Sequence, residues 1–85
     1  MRLTILYFAR LREALDCAQE QVTVPANVSN VGQLRSWLTS RGERWSEAFG
    51  RISPIRVAVD QVVTGDSTKL REGAEVAFFP PVTGG

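Results

Sequence analysis

Two adjacent prolines near the carboxyl end, Pro80 and Pro81, limit where the last strand of this chain can stop. Proline lacks a backbone N–H and has a fixed φ, so it cannot continue a sheet ladder and favours an extended exit. The apolar run before the prolines, residues 75–79, is therefore predicted to be the last strand and to end at Phe79. Residues 80–85 then form a tail that can reach roughly 20 Å from the body.

The tail ends in two glycines, Gly84 and Gly85. Because they lack side chains, the final peptide can pass through a narrow channel and present its carboxylate with little steric hindrance. A terminal carboxylate is ionised at neutral pH and is a poor acyl donor, so its use requires an activating enzyme. Glycine is also common in unstructured termini. The combination with a rigid diproline exit is what indicates a function for the carboxyl end.

Composition places the chain among single globular domains. Apolar residues make up 44% and charged residues 22% of its 85 residues, which is an ordinary globular balance. The net charge is +1 and the basic residues are scattered, so no nucleic-acid-binding patch is indicated. The sequence shows neither a leader peptide nor an apolar run approaching the roughly 20 residues of a membrane span. We therefore expect a cytoplasmic protein with no membrane or nucleic-acid partner.

The inventory of reactive side chains is small. Histidine is absent and cysteine occurs once, which excludes His-dependent triads, clustered zinc sites and an internal disulfide, and we expect no bound metal. Cys17 is either a persulfide or redox thiol or a structural residue, and the structural interpretation is favoured because no basic neighbour lowers its pKa. These side chains do not readily form the active site of an independent enzyme. The carboxylates that form no recognisable acid–base pair are Glu13, Asp16, Asp60 and Asp66.

Residues 2–8 are predicted to form the first strand, because apolar side chains alternate along it. The positions expected to face the core are Leu3, Ile5 and Tyr7. Leu6 and Phe8 are also apolar but fall on the other face. Either the following helix covers these two residues or they lie on a partner-binding face.

Helices are predicted at three places. A short helix is expected over 9–15, and the clearest helix begins at Asn30, since Gln33 three residues later completes a capping box. Gly42 is placed to end that helix, and a further helical turn is expected at 46–49. Trp37 and Trp45 are either core anchors or surface contacts, and packing against the sheet is the commoner arrangement for such aromatic residues.

The remaining strands complete a recognisable order. They are predicted at residues 20–24, 55–59 and 62–63, with a tight turn at Asp60-Gln61 between the last two. The order is compatible with an α+β, β-grasp fold, in which a mixed sheet of about five strands wraps on one main helix and the first and last strands run parallel. On this interpretation residues 1–79 are the folded domain and residues 80–85 are the extended tail.

Both ends of the chain resemble one family. The ending, residues 75–85, and the opening stretches Leu6-Tyr7-Phe8-Ala9 and Leu11-Arg12-Glu13 are similar to those of the small, sulfur-carrying subunits of molybdopterin synthase, which are ubiquitin-like proteins. The similarity covers essentially the whole chain, although residues 17–52 match in pattern more than in identity.

The resemblance implies a non-catalytic, sulfur-donating subunit. Gly85 would be adenylated by a separate enzyme of the ubiquitin-activating type, which uses ATP, and then converted to a thiocarboxylate. The tail would enter the large catalytic subunit and give its sulfur to cyclic pyranopterin monophosphate, forming the dithiolene of molybdopterin. The family's complete synthase is a heterotetramer of two small and two large subunits. No cofactor is implied to be bound permanently.

When the family's functional residues are assigned to this sequence, Gly85 matches the sulfur-bearing position. The residues that match the partner-binding segment are Phe78, Phe79, Pro80, Pro81, Val82, Thr83 and Gly84. Strand alternation allows only one of the two phenylalanines to face inward. Two alternatives remain: a sulfur carrier of another pathway, such as thiazole synthesis, or a ubiquitin-like modifier whose Gly85 forms amide bonds to lysines.

Overall fold

The computed structural model describes residues 1–81, in which one face of a five-stranded sheet packs against three helices. Along the chain the elements are β1 (Arg2–Tyr7), α1 (Ala9–Leu15), β2 (Gln19–Thr23), α2 (Val31–Thr39), α3 (Glu43–Arg51), β3 (Arg56–Val59), β4 (Val62–Thr64) and β5 (Glu75–Phe79). The strand order is β2-β1-β5-β3-β4. β1 and β5 run parallel at the centre and the other pairs are antiparallel, so the predicted mixed sheet is confirmed.

The core lies between the sheet and the helices. Alternate residues of the central strands point into it and are at most 1% exposed, as expected for a half-covered sheet. From β1 and β5 these are Leu3, Ile5, Tyr7, Val76 and Phe78. They meet side chains from each helix: Leu11 and Leu15 of α1, Val31, Leu34 and Leu38 of α2, and Ala48 and Phe49 of α3. The inward positions predicted for the first strand are thus confirmed.

The capping box at the start of α2 is present as predicted. The backbone N–H of Gln33 donates to the side-chain oxygen of Asn30 at 2.8 Å, and the N–H of Asn30 donates to the Gln33 side chain at 3.2 Å. Each residue thereby satisfies one of the amide groups left free at a helix start, which stabilises the beginning of the helix.

The prediction that Gly42 ends α2 is wrong. The helix stops at Thr39, and the hydroxyl of Ser40 donates to the carbonyl of Trp37 at 2.7 Å, which closes the last turn with a side chain. Gly42 instead precedes α3, and its carbonyl accepts the backbone N–H of Ser46 at 3.0 Å. α3 is nine residues long, so the single turn expected in this region underestimated it.

The β3–β4 connection is the tight turn that the sequence predicts. Asp60 and Gln61 have φ values of 49° and 71°, and two consecutive residues in the left-handed region are typical of a two-residue hairpin turn. Farther along the chain, Leu70 is 6% exposed and fills the core from the loop that leads to β5.

The two ends of the sheet differ. Because β1 and β5 are parallel, both end on the same side, where Tyr7 pairs with Phe78 and β3 begins at Arg56, opposite Phe79. We call this end the tail pole. The opposite end, where β1 follows Met1, is the far pole. Among the helices of residues 1–81, none combines the length and apolar content needed to cross a membrane.

Candidate functional site: the end of the last strand and the open sheet face

β5 ends at Phe79, directly before Pro80 and Pro81. Both prolines are half-buried and lie outside the ladder, as expected for residues without an N–H to donate. The predicted end of the last strand is therefore confirmed. Residues 82–85, which carry the predicted roles of Val82, Thr83, Gly84 and Gly85, lie outside the described residues, and those roles stay predictions.

Phe78 is a core residue. Its ring lies 5.5 Å from that of Phe49 in an edge-on arrangement and 6.4 Å from that of Tyr7, centroid to centroid, and the guanidinium of Arg35 lies 5.6 Å from its centroid. The side chain is 0% exposed. This burial corrects the assignment of Phe78 to the partner-binding set, because a side chain enclosed on all sides cannot contact a second protein.

The face of the sheet turned away from the helices carries an apolar patch. Leu6, Ala77, Ala58 and Val63 are register partners across β1, β5, β3 and β4. Ala58 and Ala77 are small and only 8% and 9% exposed, yet they do not belong to the main core cluster. Towards the tail pole the patch continues into two phenylalanines. We call this surface the open face; its residues are Leu6, Phe8, Ala58, Val63, Ala77 and Phe79.

Phe8 decides between the two interpretations of the outward apolar positions. Its side chain is 46% exposed although α1 begins at the next residue, so the helix does not cover it. Phe79 is half-buried, and Val63 is 62% exposed. Contiguous exposed apolar surface of this kind is typical of a protein–protein contact site. The open face is thus an apolar surface directly beside the start of the tail.

Sequence reasoning missed Val63 and the two alanines of the open face. Alanine occurs on either face of a sheet, and a three-residue strand is too short for alternation to assign its sides. Only the pairing of Ala58 with Ala77 and with Val63 shows that they share a surface with Phe79.

Charged residues flank the open face at its two ends. Arg56 is exposed and pairs with Phe79 at the tail pole. At the far pole, Asp60 is exposed and its carboxylate accepts the backbone N–H of Glu75 at 3.0 Å. Arg56 therefore places a positive charge where the tail begins, and a charge at the edge of an apolar surface helps to orient a partner.

A polar network joins β1, β2 and the α2–α3 connection. Glu20 forms a two-pronged ion pair with Arg41, with N–O distances of 2.7 and 3.1 Å, and accepts the hydroxyl of Tyr7 at 2.8 Å. Arg41 also lies over two indole rings, 4.4 Å from the centroid of Trp45 and 5.4 Å from that of Trp37. Both tryptophans are half-buried. They therefore act as packing surfaces for a cation rather than as deep core anchors.

Tyr7 is strongly affected by this network. Burial raises the pKa of its phenol well above the usual value, and the hydrogen bond to Glu20 raises it further, because both favour the neutral hydroxyl. The phenol therefore stays protonated under all physiological conditions and acts as a permanent hydrogen-bond donor. Its role in this arrangement is structural.

The other candidate reactive residues, Cys17 and the carboxylates, lack an environment that would activate them for catalysis. Burial raises the pKa of the Cys17 thiol, with Glu20 adding to the effect, so the thiolate is disfavoured. Asp66 forms an ion pair with Arg35 at 3.0 Å, and Asp60 belongs to the hairpin turn. Within residues 1–81, no three metal-ligating side chains of the His, Cys, Asp or Glu type cluster together.

The sequence pattern that defines the ThiS family matches residues 5–85. The chain belongs to the ThiS family. Among curated relatives, the molybdopterin synthase sulfur carrier subunit of Escherichia coli is 36% identical to this ThiS-family chain over 81 residues, which is 95% of this chain and 96% of the relative. The protein of the same name from Mycobacterium tuberculosis is 34% identical over 85 residues, covering 100% and 99% of the two chains.

Solved structures share the fold of this ThiS-family chain. The small archaeal modifier protein SAMP1 of Haloferax volcanii superposes with a TM-score of 0.80 at 22% identity, and the match covers all of both chains. A complex of subunits 1 and 2 of molybdopterin-converting factor from Helicobacter pylori contains a chain that matches with a TM-score of 0.68 at 21% identity, again over all of both chains. This likeness confirms the predicted β-grasp arrangement of sheet and helices.

Proposed function

We propose that this chain is the sulfur carrier subunit of a molybdopterin synthase and that its reacting atom is the carbonyl carbon of Gly85. Three bacterial proteins that bear this name are 30–36% identical to the chain and align with at least 95% of it. This near-complete likeness, which includes the carboxyl end, is the observation that carries the proposal. The chain would act in the cytoplasm and would hold no cofactor of its own.

The proposed chemistry has two steps at Gly85. First, its carboxylate oxygen attacks the α-phosphorus of ATP on an adenylating enzyme of the ubiquitin-activating type, and pyrophosphate leaves. Sulfide-level sulfur from a donor then attacks the carbonyl carbon, the bond to the AMP oxygen breaks, AMP leaves with the electron pair, and a thiocarboxylate remains. Adenylation is needed because it converts an inert carboxylate into an acyl electrophile with a good leaving group.

The thiocarboxylate would then be delivered to the large catalytic subunit. The open face supports this step, because an apolar surface lies where the tail leaves β5, so docking of that face would direct the tail into the partner. Residues 80–85 have a contour length of roughly 20 Å, enough to enter an active-site channel. The pterin precursor, cyclic pyranopterin monophosphate, would accept the sulfur there. The assembly would be a heterotetramer of two small and two large subunits.

Phe79 and Phe8 are the side chains best placed to anchor this contact. Both belong to the open face, both lie at the tail pole, and aromatic residues commonly contribute most of the affinity of an interface. In the proposal Pro80 and Pro81 hold the tail extended, Val82 and Thr83 dock in the partner's channel, and Gly84 is the slender penultimate residue.

Intact mass separates this proposal from the two alternatives. After incubation with adenylating enzyme, ATP and a sulfur donor, a sulfur carrier gains about 16 Da, since one oxygen is replaced by sulfur. A ubiquitin-like modifier would instead appear in conjugates of much higher mass. A carrier for thiazole synthesis would gain the same mass but would not restore dithiolene formation with a large synthase subunit.

Deletion of Gly85 tests the reacting position. The shortened chain is expected to keep its fold and to bind the large subunit, but to form no thiocarboxylate and no pterin dithiolene. The Cys17→Ser variant of the full chain is the matched control and should remain active. Retained sulfur transfer by the shortened chain would remove the tail mechanism. Copurification of the chain with a large subunit from the same cells tests the partner independently.

A further inference from the structure

The chain has nine arginines and one lysine, Lys69. The difference matters for a protein whose carboxyl end becomes an acyl electrophile. A lysine amine has a pKa near 10.4 and exposes a nucleophilic lone pair whenever it loses its proton. An arginine guanidinium has a pKa above 12 and remains protonated, so it carries positive charge without being a nucleophile.

Both amines of the chain lie away from the tail pole. Lys69 is exposed and lines a groove beside Val59 and Val62, which form the far-pole ends of β3 and β4. The amino group of Met1 donates to the carbonyl of Val24 at 3.1 Å, next to the start of β1. Since β5 begins at the far pole and ends at the tail pole, each amine is separated from Phe79 by the length of the sheet.

The cations of the tail pole are guanidiniums. Arg56 pairs directly with Phe79, and its side chain is exposed. Arg10 is also exposed and lies two residues after Phe8, whose backbone N–H donates to the carbonyl of Phe78 at 3.1 Å. The residues nearest the start of the tail thus supply positive charge in a form that does not attack a carbonyl.

We propose that this placement protects the activated Gly85 carbonyl from its own chain: the tail pole carries arginine only, and the single lysine lies where the tail reaches it poorly. This inference rests on the proposed function. Arg56 and Arg10 are the positions that matter most. A guanidinium at each of them does not attack the acyl-adenylate, whereas a lysine amine there could. Only water and the sulfur donor then compete for the Gly85 carbonyl carbon, because no amine of the same chain is within easy reach.

The reaction that is avoided is an intramolecular aminolysis. A neutral lysine amine would attack the Gly85 carbonyl carbon of the acyl-adenylate, a C–N bond would form, and the C–O bond to AMP would break. AMP would leave with the electron pair, and the amine proton would pass to solvent. The product would be a cyclised chain, linked by an amide and unable to accept sulfur.

Tail length makes position 56 reachable and position 69 unfavourable. Residues 80–85 span roughly 20 Å when extended, so a short reversal brings the carboxyl end beside the β3 residue that pairs with Phe79. To reach Lys69 the tail must reverse and run back along the sheet over most of its contour length, beginning from the stiff Pro80-Pro81 segment. The effective concentration of a tethered group falls steeply when the span approaches the full length of the tether.

The thiol at the tail pole is restrained in a different way. Cys17 precedes Ala18, whose carbonyl accepts the N–H of Tyr7 at 2.9 Å, so it lies near the end of β1. Its Sγ is 3.5 Å from the carbonyl of Gln19. Burial and the Glu20 carboxylate raise its pKa, and the protonated thiol is a weak nucleophile.

The test places a lysine at each pole. Arg56→Lys and Arg10→Lys introduce an amine at the tail pole, and Arg71→Lys makes the same change near the far pole, where the loop contacts Arg2. Each full-length chain is incubated with adenylating enzyme and ATP without a sulfur donor, and products are counted per pyrophosphate released. A short tether gives an effective concentration near millimolar, against about 10 µM for a second chain, so each tail-pole variant should form about a hundredfold more cyclised product than product joined to a second chain.

The cyclised product is identified by a loss of about 18 Da, one water, and by a peptide that links Gly85 to the new lysine. Its yield should rise about tenfold per pH unit up to pH 10, because only the neutral amine reacts. Wild type and Arg71→Lys should show no cyclised product. Equal cyclisation in all four chains, or a Lys69-linked product in wild type, would overturn the inference. Failure of wild type to release pyrophosphate, or to gain sulfur when the donor is added, would instead contradict the proposed function.

Discussion

Phe79 and Arg56 lie directly opposite each other in the β3–β5 ladder, at the point where the sheet ends and the tail begins. One position earlier, Phe78 pairs with Val57, and both of those side chains are at most 1% exposed. Because side chains alternate between faces along a strand, neighbouring phenylalanines have opposite tasks. Phe78 packs the last strand against the core. The side chain of Phe79 lies on the opposite face, where a partner can contact it.

Substitution of Phe79 or Phe8 by alanine should weaken binding of the large synthase subunit. We expect a loss of about 1–3 kcal/mol, or roughly fivefold to 150-fold in affinity, for each change, because both rings are at least partly exposed aromatics of the open face. Isothermal titration calorimetry against the large subunit measures it. Val62→Ala, at an apolar position that is 66% exposed on the other side of edge strand β4, is the control. Unchanged affinity in both aromatic variants would exclude the open face as the docking surface.

Phe78→Ala should act on stability instead of binding. Removal of a fully enclosed ring leaves a cavity among Tyr7, Phe49 and Arg35, and the expected cost is about 3–5 kcal/mol of unfolding free energy. Urea denaturation followed by circular dichroism provides the measurement. Phe79→Ala is the matched comparison and should cost much less. Equal losses at the two positions would contradict the assignment of their faces.

Stability should fall in strong base because of Tyr7. In the unfolded chain its phenol ionises above pH about 10, whereas in the folded chain burial and Glu20 keep the pKa higher and the hydroxyl protonated. The unfolded state therefore binds fewer protons above pH 10, so this contribution is intact below that pH and is lost at about 1.4 kcal/mol per pH unit above it. Tyr7→Phe should remove this part of the slope. If the unfolding free energies of wild type and Tyr7→Phe fall in parallel above about pH 10, the Tyr7–Glu20 interaction does not raise the pKa of the phenol.

Cys17→Ser should leave sulfur transfer within about twofold of wild type, since the thiol has a raised pKa and the proposed sulfur carrier is the Gly85 carbonyl. Pterin dithiolene formation with purified partners is the readout, and the thiocarboxylate mass should appear in both chains. A complete loss of activity, with the fold intact, would favour a persulfide on Cys17.

Local patterns predicted much of the fold. The capping box of Asn30 and Gln33, the hairpin turn at residues 60–61 and the inward side of β1 depend on neighbours in sequence, and all three are present. The end of α2 was predicted incorrectly at Gly42, because Ser40 closes the helix with its own hydroxyl. Glycine is permissive at either end of a helix, so its position alone does not distinguish a stop from a start.

The site could be predicted only in part. That one of the two phenylalanines before the diproline faces inward follows from alternation, but which one does so depends on the register with β1 and β3. Phe8 was left between two interpretations for a similar reason, since coverage by α1 depends on the angle at which the helix leaves the strand. The ion pair of Arg41 with Glu20 joins residues that are far apart in the chain, so no local sequence pattern predicts it.

The amino-acid sequence by itself determined where the last strand stops and how far the tail can extend, because the missing N–H and fixed φ of proline act within one or two residues. It also determined that lysine is almost absent, which is a matter of composition. Only the tertiary structure decided that four strands bring one apolar surface to the start of the tail and that the single lysine lies beyond it. Both depend on strand order and register, which are set by contacts between distant segments of the chain.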